Sequence, residues 1–182
     1  MGRNSDPARD AGADAKGLVD DRAFLRELVA SEMRRGESCG GCFSIAIVEL
    51  DDFMELHERF GQVVCDRLTA YVALMLKQTL RDSDIVARVG RYHLGVLLPG
   101  MAAETAGALL ERVARRFERA SFELQGERVT PTVTLGMASF PDVVGPAEQL
   151  FVRAIQDLDR AREERRGSRS PLRRNLNAAT VG

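Results

Sequence analysis

The sequence predicts an α/β sandwich, in which helices flank a mostly antiparallel, five-stranded central sheet. An apolar run with alternating side chains at residues 43–50 is typical of a central strand. Two more apolar runs, at 84–89 and 92–98, stand on either side of a glycine-containing turn and predict a β-hairpin. Apolar residues at helical spacing lie between these strands and after them, most clearly at 102–119.

The first half of the predicted domain alternates helix and strand. Residues 20–34 place apolar side chains on one helical face, and Gly36 just beyond them predicts the end of that helix. After the strand at 43–50, the spacing predicts a short helix over 51–60 and a longer one over 66–80.

The second half begins with the hairpin at 84–98 and continues with the helix at 102–119. Short apolar runs predict two more strands, at 122–124 and 129–140, with a glycine-containing turn between them. A proline then opens a final helix over 146–166, because proline fits the first turn of a helix.

Length and composition predict one domain with short tails. The chain has 182 residues, of which 45% are hydrophobic and 29% charged, so it can bury a sizeable core. The formal net charge of −1 argues against a nucleic-acid partner. No apolar run approaches the roughly 20 residues that span a bilayer, and the N-terminal residues lack the apolar core of a secretory signal. With three cysteines, we expect a soluble, cytoplasmic protein without a membrane partner.

Composition also sets the expected boundaries of the domain. Residues 1–17 are rich in glycine, alanine and charged side chains without a period, and are expected to form a flexible arm. Gly167 and Pro171 interrupt the last helical pattern, so residues 167–182 are expected to form a flexible basic tail. The folded domain is therefore expected to span 18–166.

Five segments, taken in order, resemble the GGDEF domain, the family of diguanylate cyclases that synthesise cyclic di-GMP. The first of them, LVDDRAFLREL, is similar to the entry helix of the family. FSIAIVELDDF stands where the family has an apolar strand and an acidic motif, and ARVGRYHLGVLLP stands where it has its signature hairpin. VTLGMA is similar to a later strand of the family, and DLDRAREERRG to its closing helix. The resemblance covers nearly all of residues 18–166. It implies a GGDEF or nucleotidyl-cyclase-like sandwich that serves bacterial second-messenger signalling.

The resemblance also implies where the active-site positions of the family fall. It places a metal-binding acid on Glu49, followed by Asp51, and the two guanine-reading positions on His57 and Asp66. The signature hairpin reads Gly90-Arg91-Tyr92-His93-Leu94, in which both acids of the family are replaced. Tyrosine does not replace a carboxylate as a Mg²⁺ ligand at neutral pH. We therefore expect a domain that is not an enzyme and has no catalytic or metal-binding residue.

A second site of the family is kept in this sequence. Arg81 and Asp84 form the Arg-x-x-Asp motif before the hairpin, and Arg112 falls where a supporting arginine is expected. The resemblance implies that these residues bind cyclic di-GMP, the only small-molecule ligand expected. Arginine can form a fork onto a phosphate, and aspartate can accept hydrogen bonds from a guanine. In the family the ligand is usually an intercalated dimer, which implies a possible ligand-mediated homodimer.

Other interpretations stay open at this point. The chain could be a protein-interaction scaffold that has lost nucleotide binding and serves an unidentified protein partner, or it could keep weak GTP binding or cyclase activity. The acids Glu49, Asp51 and Asp52 could hold a cation, although capping of the next helix is favoured. The Cys39–Cys42 segment is expected to be a loop with two thiols rather than a zinc or redox site. The late arginines are expected to form a solvated face and tail: Arg162, Arg165, Arg166, Arg169, Arg173 and Arg174.

Overall fold

A computed structural model describes residues 22–168, so the predicted N-terminal arm and nearly all of the predicted basic tail lie outside the described residues. The helices are α1 (Arg22–Cys39), α2 (Phe53–Phe60), α3 (Gln62–Thr79), α4 (Ala103–Glu118) and α5 (Ala147–Ser168). The strands are β1 (Phe43–Leu50), β2 (Ile85–Arg88), β3 (His93–Pro99), β4 (Phe122–Leu124), β5 (Glu127–Val129) and β6 (Val133–Phe140). Between residues 22 and 168, no helix has both the length and the apolar character needed to cross a membrane.

The central sheet has the strand order β2-β3-β1-β6, and each neighbouring pair is antiparallel. One of its two inner strands, β1, is buried almost throughout because strands cover both of its edges and helices cover both of its faces. The register places Glu49 opposite His93 on β3 and opposite Thr134 on β6. Polar side chains from three strands therefore meet where β1 ends.

The helices form two layers, one on each face of the sheet. Ala46 and Val48 face the layer that contains α3 and α4, whereas Ile45 and Ile47 face the layer that contains α1 and α5. This division follows from the alternation of side chains along a strand. Because Glu49 has the same parity as Ile47, its side chain lies on the α1 and α5 face.

The prediction of five strands in one sheet is wrong. Within residues 22–168, the central sheet has four strands, and β4 and β5 pair only with each other. The segment predicted as one strand, 129–140, is divided after Val129, and β6 begins at Val133. Pro131 lies in the gap, and proline cannot donate the hydrogen bond that a continuous ladder requires.

The predicted end of the first helix at Gly36 is also wrong, because α1 continues through Gly36 to Cys39. A Cβ at Gly36 would lie 2.7 Å from Cε1 of Phe140, so the missing side chain makes room for that ring. The helix instead ends at Cys39 and is followed by Gly40, which has a φ of +68°. The amides of Gly40 and Gly41 both donate to the carbonyl oxygen of Gly36, which is a common way to satisfy the last turn of a helix.

Helix α5 lies directly against β6 at Gly136. A Cβ at this position would lie 2.1 Å from the backbone nitrogen of Leu158 and 2.3 Å from the carbonyl oxygen of Ala154. Only glycine allows the two backbones to approach so closely. This contact brings the second half of α5, which carries Arg162 and Arg165, to the end of the sheet where β1 stops.

Candidate functional site

Glu49 lies at the end of β1 and is held by side chains from β3 and α5. Its Oε2 lies 2.7 Å from Nε2 of His93. The Arg162 guanidinium donates from Nε to Oε1 at 3.1 Å and from a terminal nitrogen to Oε2. This is a two-point contact between a carboxylate and the fork of an arginine, the strongest geometry that such a pair can adopt.

The surroundings of Glu49 favour its ionised form. Burial of the carboxyl opposes ionisation, but the hydrogen bonds and charges of His93 and Arg162 outweigh it and hold the pKa of Glu49 below its usual value. An ionised carboxylate only accepts hydrogen bonds, so Nε2 of His93 is the donor. Glu49 is therefore a carboxylate at neutral pH, and the neighbouring arginine neutralises its charge.

Asp51 follows β1 and is bound in the same way. It accepts hydrogen bonds from the hydroxyls of Thr132 and Thr134, both at 2.6 Å, and from Arg165 at 2.5 Å. Only 9% of the Asp51 side chain is exposed. A second nitrogen of Arg165 lies 3.5 Å from Oε1 of Glu118, so this arginine also contacts α4.

These contacts change two interpretations of the sequence. Glu49 and Asp51 bind arginines of α5, whereas Asp52 stands at the N-cap of α2 without a side-chain hydrogen bond to that helix. The expectation of a solvated face is wrong for Arg162 and Arg165, whose side chains are 33% and 32% exposed. The sequence carried a signal for this, because the two arginines lie four and seven positions after the buried Leu158 on one helical face. Of the other late arginines, Arg166 is exposed, whereas Arg169, Arg173 and Arg174 lie outside the described residues.

The turn between β2 and β3 is tied to α3 by a residue that the sequence analysis did not single out. Arg88 donates to the carbonyl oxygens of Gly90 and Arg91, at 3.2 and 2.7 Å. It also contacts Oδ1 of Asp66 at 3.4 Å, and the same oxygen accepts from Gln62 at 2.9 Å. The backbone of Arg91 thus fixes this turn, while its side chain is exposed.

Two ring side chains from the predicted positions, Tyr92 and His57, pack against Phe53 at the start of α2. The Tyr92 ring lies 4.3 Å from the Phe53 ring and the His57 ring 6.0 Å from it, measured between centroids. The His93 ring contacts Tyr92 at 5.2 Å and reaches Glu49 as well. Of Tyr92, His57 and His93, only His93 joins the carboxylates at the end of β1.

Arg81 and Asp84 form a compact turn between α3 and β2. The backbone amide of Arg81 donates to Oδ2 of Asp84 at 2.9 Å, and the amide of Asp84 donates to the carbonyl oxygen of Arg81 at 3.0 Å. Aspartate commonly makes such local bonds, which explains why the motif folds into a turn here. The turn uses the backbone of Arg81 and leaves its guanidinium available.

A cavity of about 250 Å³ brings together the three residues predicted to bind a ligand. Arg81 and Asp84 line it from the turn, and Arg112 lines it from α4. Its other lining residues are mostly apolar: Thr79, Leu80, Met101, Thr105, Ala108 and Leu109. Within residues 22–168, neither the Arg81 nor the Arg112 guanidinium makes a hydrogen bond or an ion pair. The cavity thus presents two uncompensated cations and one carboxylate beside an apolar wall.

Comparison with known proteins identifies the family. The family model described as "Diguanylate cyclase, GGDEF domain" matches residues 11–168, and this chain belongs to that family. The solved GGDEF domain of FimX from Pseudomonas aeruginosa superposes with a TM-score of 0.77 at 23% identity, covering 82% of this chain and 92% of that one. The GGDEF domain of DgcB from Caulobacter crescentus, solved in complex with c-di-GMP, gives 0.72 at 20% identity, covering 81% and 84%. At these identities the two structures establish the fold.

Among curated relatives, diguanylate cyclase DgcP from Pseudomonas aeruginosa is 32% identical over 141 residues, which are 78% of this chain and 21% of that protein. The chain spans between 21% and 41% of the length of the first curated relatives it matches. The family therefore consists of GGDEF domains that occur in larger proteins of cyclic-di-GMP signalling.

These relatives contradict the prediction that the chain is not an enzyme. DgcP and several others are named as diguanylate cyclases, so the loss of activity inferred from the hairpin is not supported. That prediction rested on the two acids of the family that Tyr92 and His93 replace. The structure keeps two carboxylates, Glu49 and Asp51, together at the end of β1. Turnover of GTP by this domain is therefore a quantity to measure.

Proposed function

We propose that this domain is a receptor for cyclic di-GMP in bacterial second-messenger signalling, and that Arg81, Asp84 and Arg112 bind the ligand. The observation that carries the proposal is the cavity between α3 and α4, where two arginines without an internal partner stand beside one carboxylate. Both arginines are exposed to solvent, so their guanidinium groups are accessible to a ligand with phosphates, and the carboxylate beside them can accept from hydrogen-bond donors of the same ligand.

The chemistry of cyclic di-GMP matches each group in the cavity. A guanidinium can form two parallel hydrogen bonds with a phosphate, or with O6 and N7 of a guanine. The Asp84 carboxylate accepts from the Arg81 amide at Oδ2 and, at 3.5 Å, from the Ser83 hydroxyl at Oδ1, and it keeps further acceptor capacity for the N1–H and N2–H groups of a guanine. Of the apolar lining residues, Leu80 and Ala108 keep exposed surface on which a base could pack, whereas Met101 and Leu109 are nearly buried.

Two properties of the relatives support this proposal. The chain belongs to a family whose activity concerns this nucleotide, and the DgcB domain, with the same fold, was crystallised in complex with c-di-GMP. If the ligand binds as an intercalated dimer, as the family resemblance implies, both of its faces become available to protein. We propose that it then joins two copies of this domain, or one copy and a protein partner.

Isothermal titration calorimetry with cyclic di-GMP tests the site. We expect micromolar or tighter binding for the wild type, with about two ligands per domain if the ligand dimerises. Arg81→Ala should weaken binding about a hundredfold or abolish it, because about 1.5–3 kcal/mol is lost for each hydrogen bond to a charged group. Arg115→Ala is the matched control, since Arg115 lies on α4 but pairs with Glu111 outside the cavity. Equal affinity of the wild type and Arg81→Ala would show that the assigned site is wrong.

Parallel measurements address the alternatives. Incubation with GTP and Mg²⁺, followed by chromatography of the nucleotides, measures whether this domain has the diguanylate cyclase activity after which several relatives are named. Light scattering with and without cyclic di-GMP measures whether the ligand joins two copies. Absence of binding to both nucleotides would refute the receptor and leave an interaction scaffold.

A further inference from the structure

The cavity between α3 and α4 has two walls that belong to separate elements. Arg81 and Asp84 lie on the turn that follows α3, whereas Arg112 lies on α4. A ligand that contacts both arginines needs them at a fixed separation. Some contact must therefore hold the end of α3 against α4.

Arg116 of α4 makes such a contact. One terminal nitrogen of its guanidinium donates to Oγ1 of Thr79 at 2.7 Å, and the other donates to Oε1 of Gln78 at 3.0 Å. Thr79 is the last residue of α3 and itself lines the cavity. Arg116 lies one helical turn beyond Arg112, about 6 Å further along the axis.

The Thr79 acceptor of Arg116 is already oriented. The Thr79 hydroxyl donates its only proton to the carbonyl oxygen of Met75 at 2.8 Å, so its lone pairs remain for Arg116. Both acceptors are neutral, and the contact therefore leaves the positive charge of Arg116 uncompensated. Its specific property is the planar fork, which fixes two donors at once and which lysine lacks.

We infer that Arg116 is a positioning residue, whose fork sets the separation between Arg81 and Arg112 and so determines the affinity of the cavity. The inference rests on the proposed function of that cavity. Because Arg116 does not line the cavity, it acts through Thr79 and the end of α3 rather than through the ligand. Its geometry matters more than its charge.

Three substitutions separate geometry from charge in titrations with cyclic di-GMP. Arg116→Ala should weaken binding about tenfold, since a tenfold change corresponds to about 1.4 kcal/mol. Arg116→Lys keeps the charge without the fork and should recover little of that loss. Gln78→Ala removes one acceptor outside the cavity and should weaken binding by a smaller factor. The double variant Arg116→Ala/Gln78→Ala should bind like Arg116→Ala alone, because both changes break one contact.

A second measurement tests the inference without any ligand. Hydrogen exchange of the peptide that contains residues 78–84 should be faster in Arg116→Ala than in the wild type, while Arg115→Ala leaves it unchanged. Full recovery of affinity by Arg116→Lys, or unchanged exchange in Arg116→Ala, would overturn the positioning role. The proposed function fails separately, when the wild type does not bind or when Arg81→Ala binds like the wild type.

Discussion

Replacing Gly136 by alanine should destabilise the fold more than its single methyl group suggests. The new Cβ would lie 2.1 Å from the nitrogen of Leu158, 2.3 Å from the oxygen of Ala154 and 2.5 Å from the Cα of Leu158, whereas real Cβ contacts are essentially never below 3.0 Å. All three atoms belong to the backbone, so no side-chain rotation can relieve the contact. Helix α5 must move away from β6 instead.

The size of the effect follows from what α5 buries. Leu150, Ala154 and Leu158 are at most 2% exposed, and displacement of the helix loosens all of them. Overpacking of a core costs about 1–3 kcal/mol and sometimes more, so we expect about 3 kcal/mol for Gly136→Ala. For a domain of this size, that loss lowers the melting temperature by roughly 6–12 °C.

Gly107→Ala is a control that makes the same chemical change but should have the opposite effect on the free energy of unfolding. Gly107 lies inside α4, and its added Cβ would meet nothing nearer than Sδ of Met137 at 3.9 Å. Alanine in a helix interior is more favourable than glycine by about 0.8–1 kcal/mol, so this variant should be slightly more stable than the wild type.

Urea unfolding followed by circular dichroism measures both variants. The midpoint should fall for Gly136→Ala and rise slightly for Gly107→Ala, with similar slopes for the two transitions. The reasoning is refuted if Gly136→Ala unfolds within about 0.5 kcal/mol of the wild type, the range of ordinary surface substitutions. It is also refuted if Gly107→Ala loses as much stability as Gly136→Ala.

Two further predictions concern polar groups near β1. Since the pKa of Glu49 is lowered in the fold, its carboxylate stabilises the protein above its unfolded pKa, and that stabilisation is lost as pH falls through the lower, folded pKa. Glu49→Gln should therefore flatten the acid side of a plot of urea midpoint against pH, and curves parallel to the wild type would contradict this. Ser44→Ala should cost about 1–3 kcal/mol, because the buried Ser44 hydroxyl bonds the carbonyl oxygen of Met101 and the hydroxyl of Ser139. Adding Ser139→Ala should cost less than the sum of the two single changes, and strict additivity would argue against a shared network.

The local parts of the fold were predictable from the sequence. The strand at 43–50 has the predicted bounds because its alternation and apolar character are properties of the segment itself. The start of α3 was not predictable: the helix begins at Gln62 rather than at the predicted Asp66. Gly61 stands at its N-cap and offers no side-chain hydrogen bond. A helix start without a capping side chain leaves little for sequence analysis to detect.

The cavity between α3 and α4 and the carboxylate site at the end of β1 also differ in how far the sequence could predict them. Arg81 and Asp84 are three residues apart and fold into their turn through mutual backbone bonds, so their spacing alone indicates the geometry. Arg162 and Glu49 are separated by 113 residues, and their contact requires both the strand order and the docking of α5. No periodicity within α5 specifies which carboxylate its arginines meet.

The two sites also depend on different packing contacts, which separates their responses to substitution. The carboxylates at the end of β1 are held by Arg162 and Arg165, and these reach them because Gly136 lets α5 lie against β6. The cavity between α3 and α4 lies on the opposite face of the sheet and depends on Arg116 instead. A change that lifts α5 should therefore release Glu49 and Asp51 while it leaves the cavity intact. The nucleotide-binding proposal can thus be tested in variants whose β1 site is disturbed, and GTP turnover in variants whose cavity is disturbed.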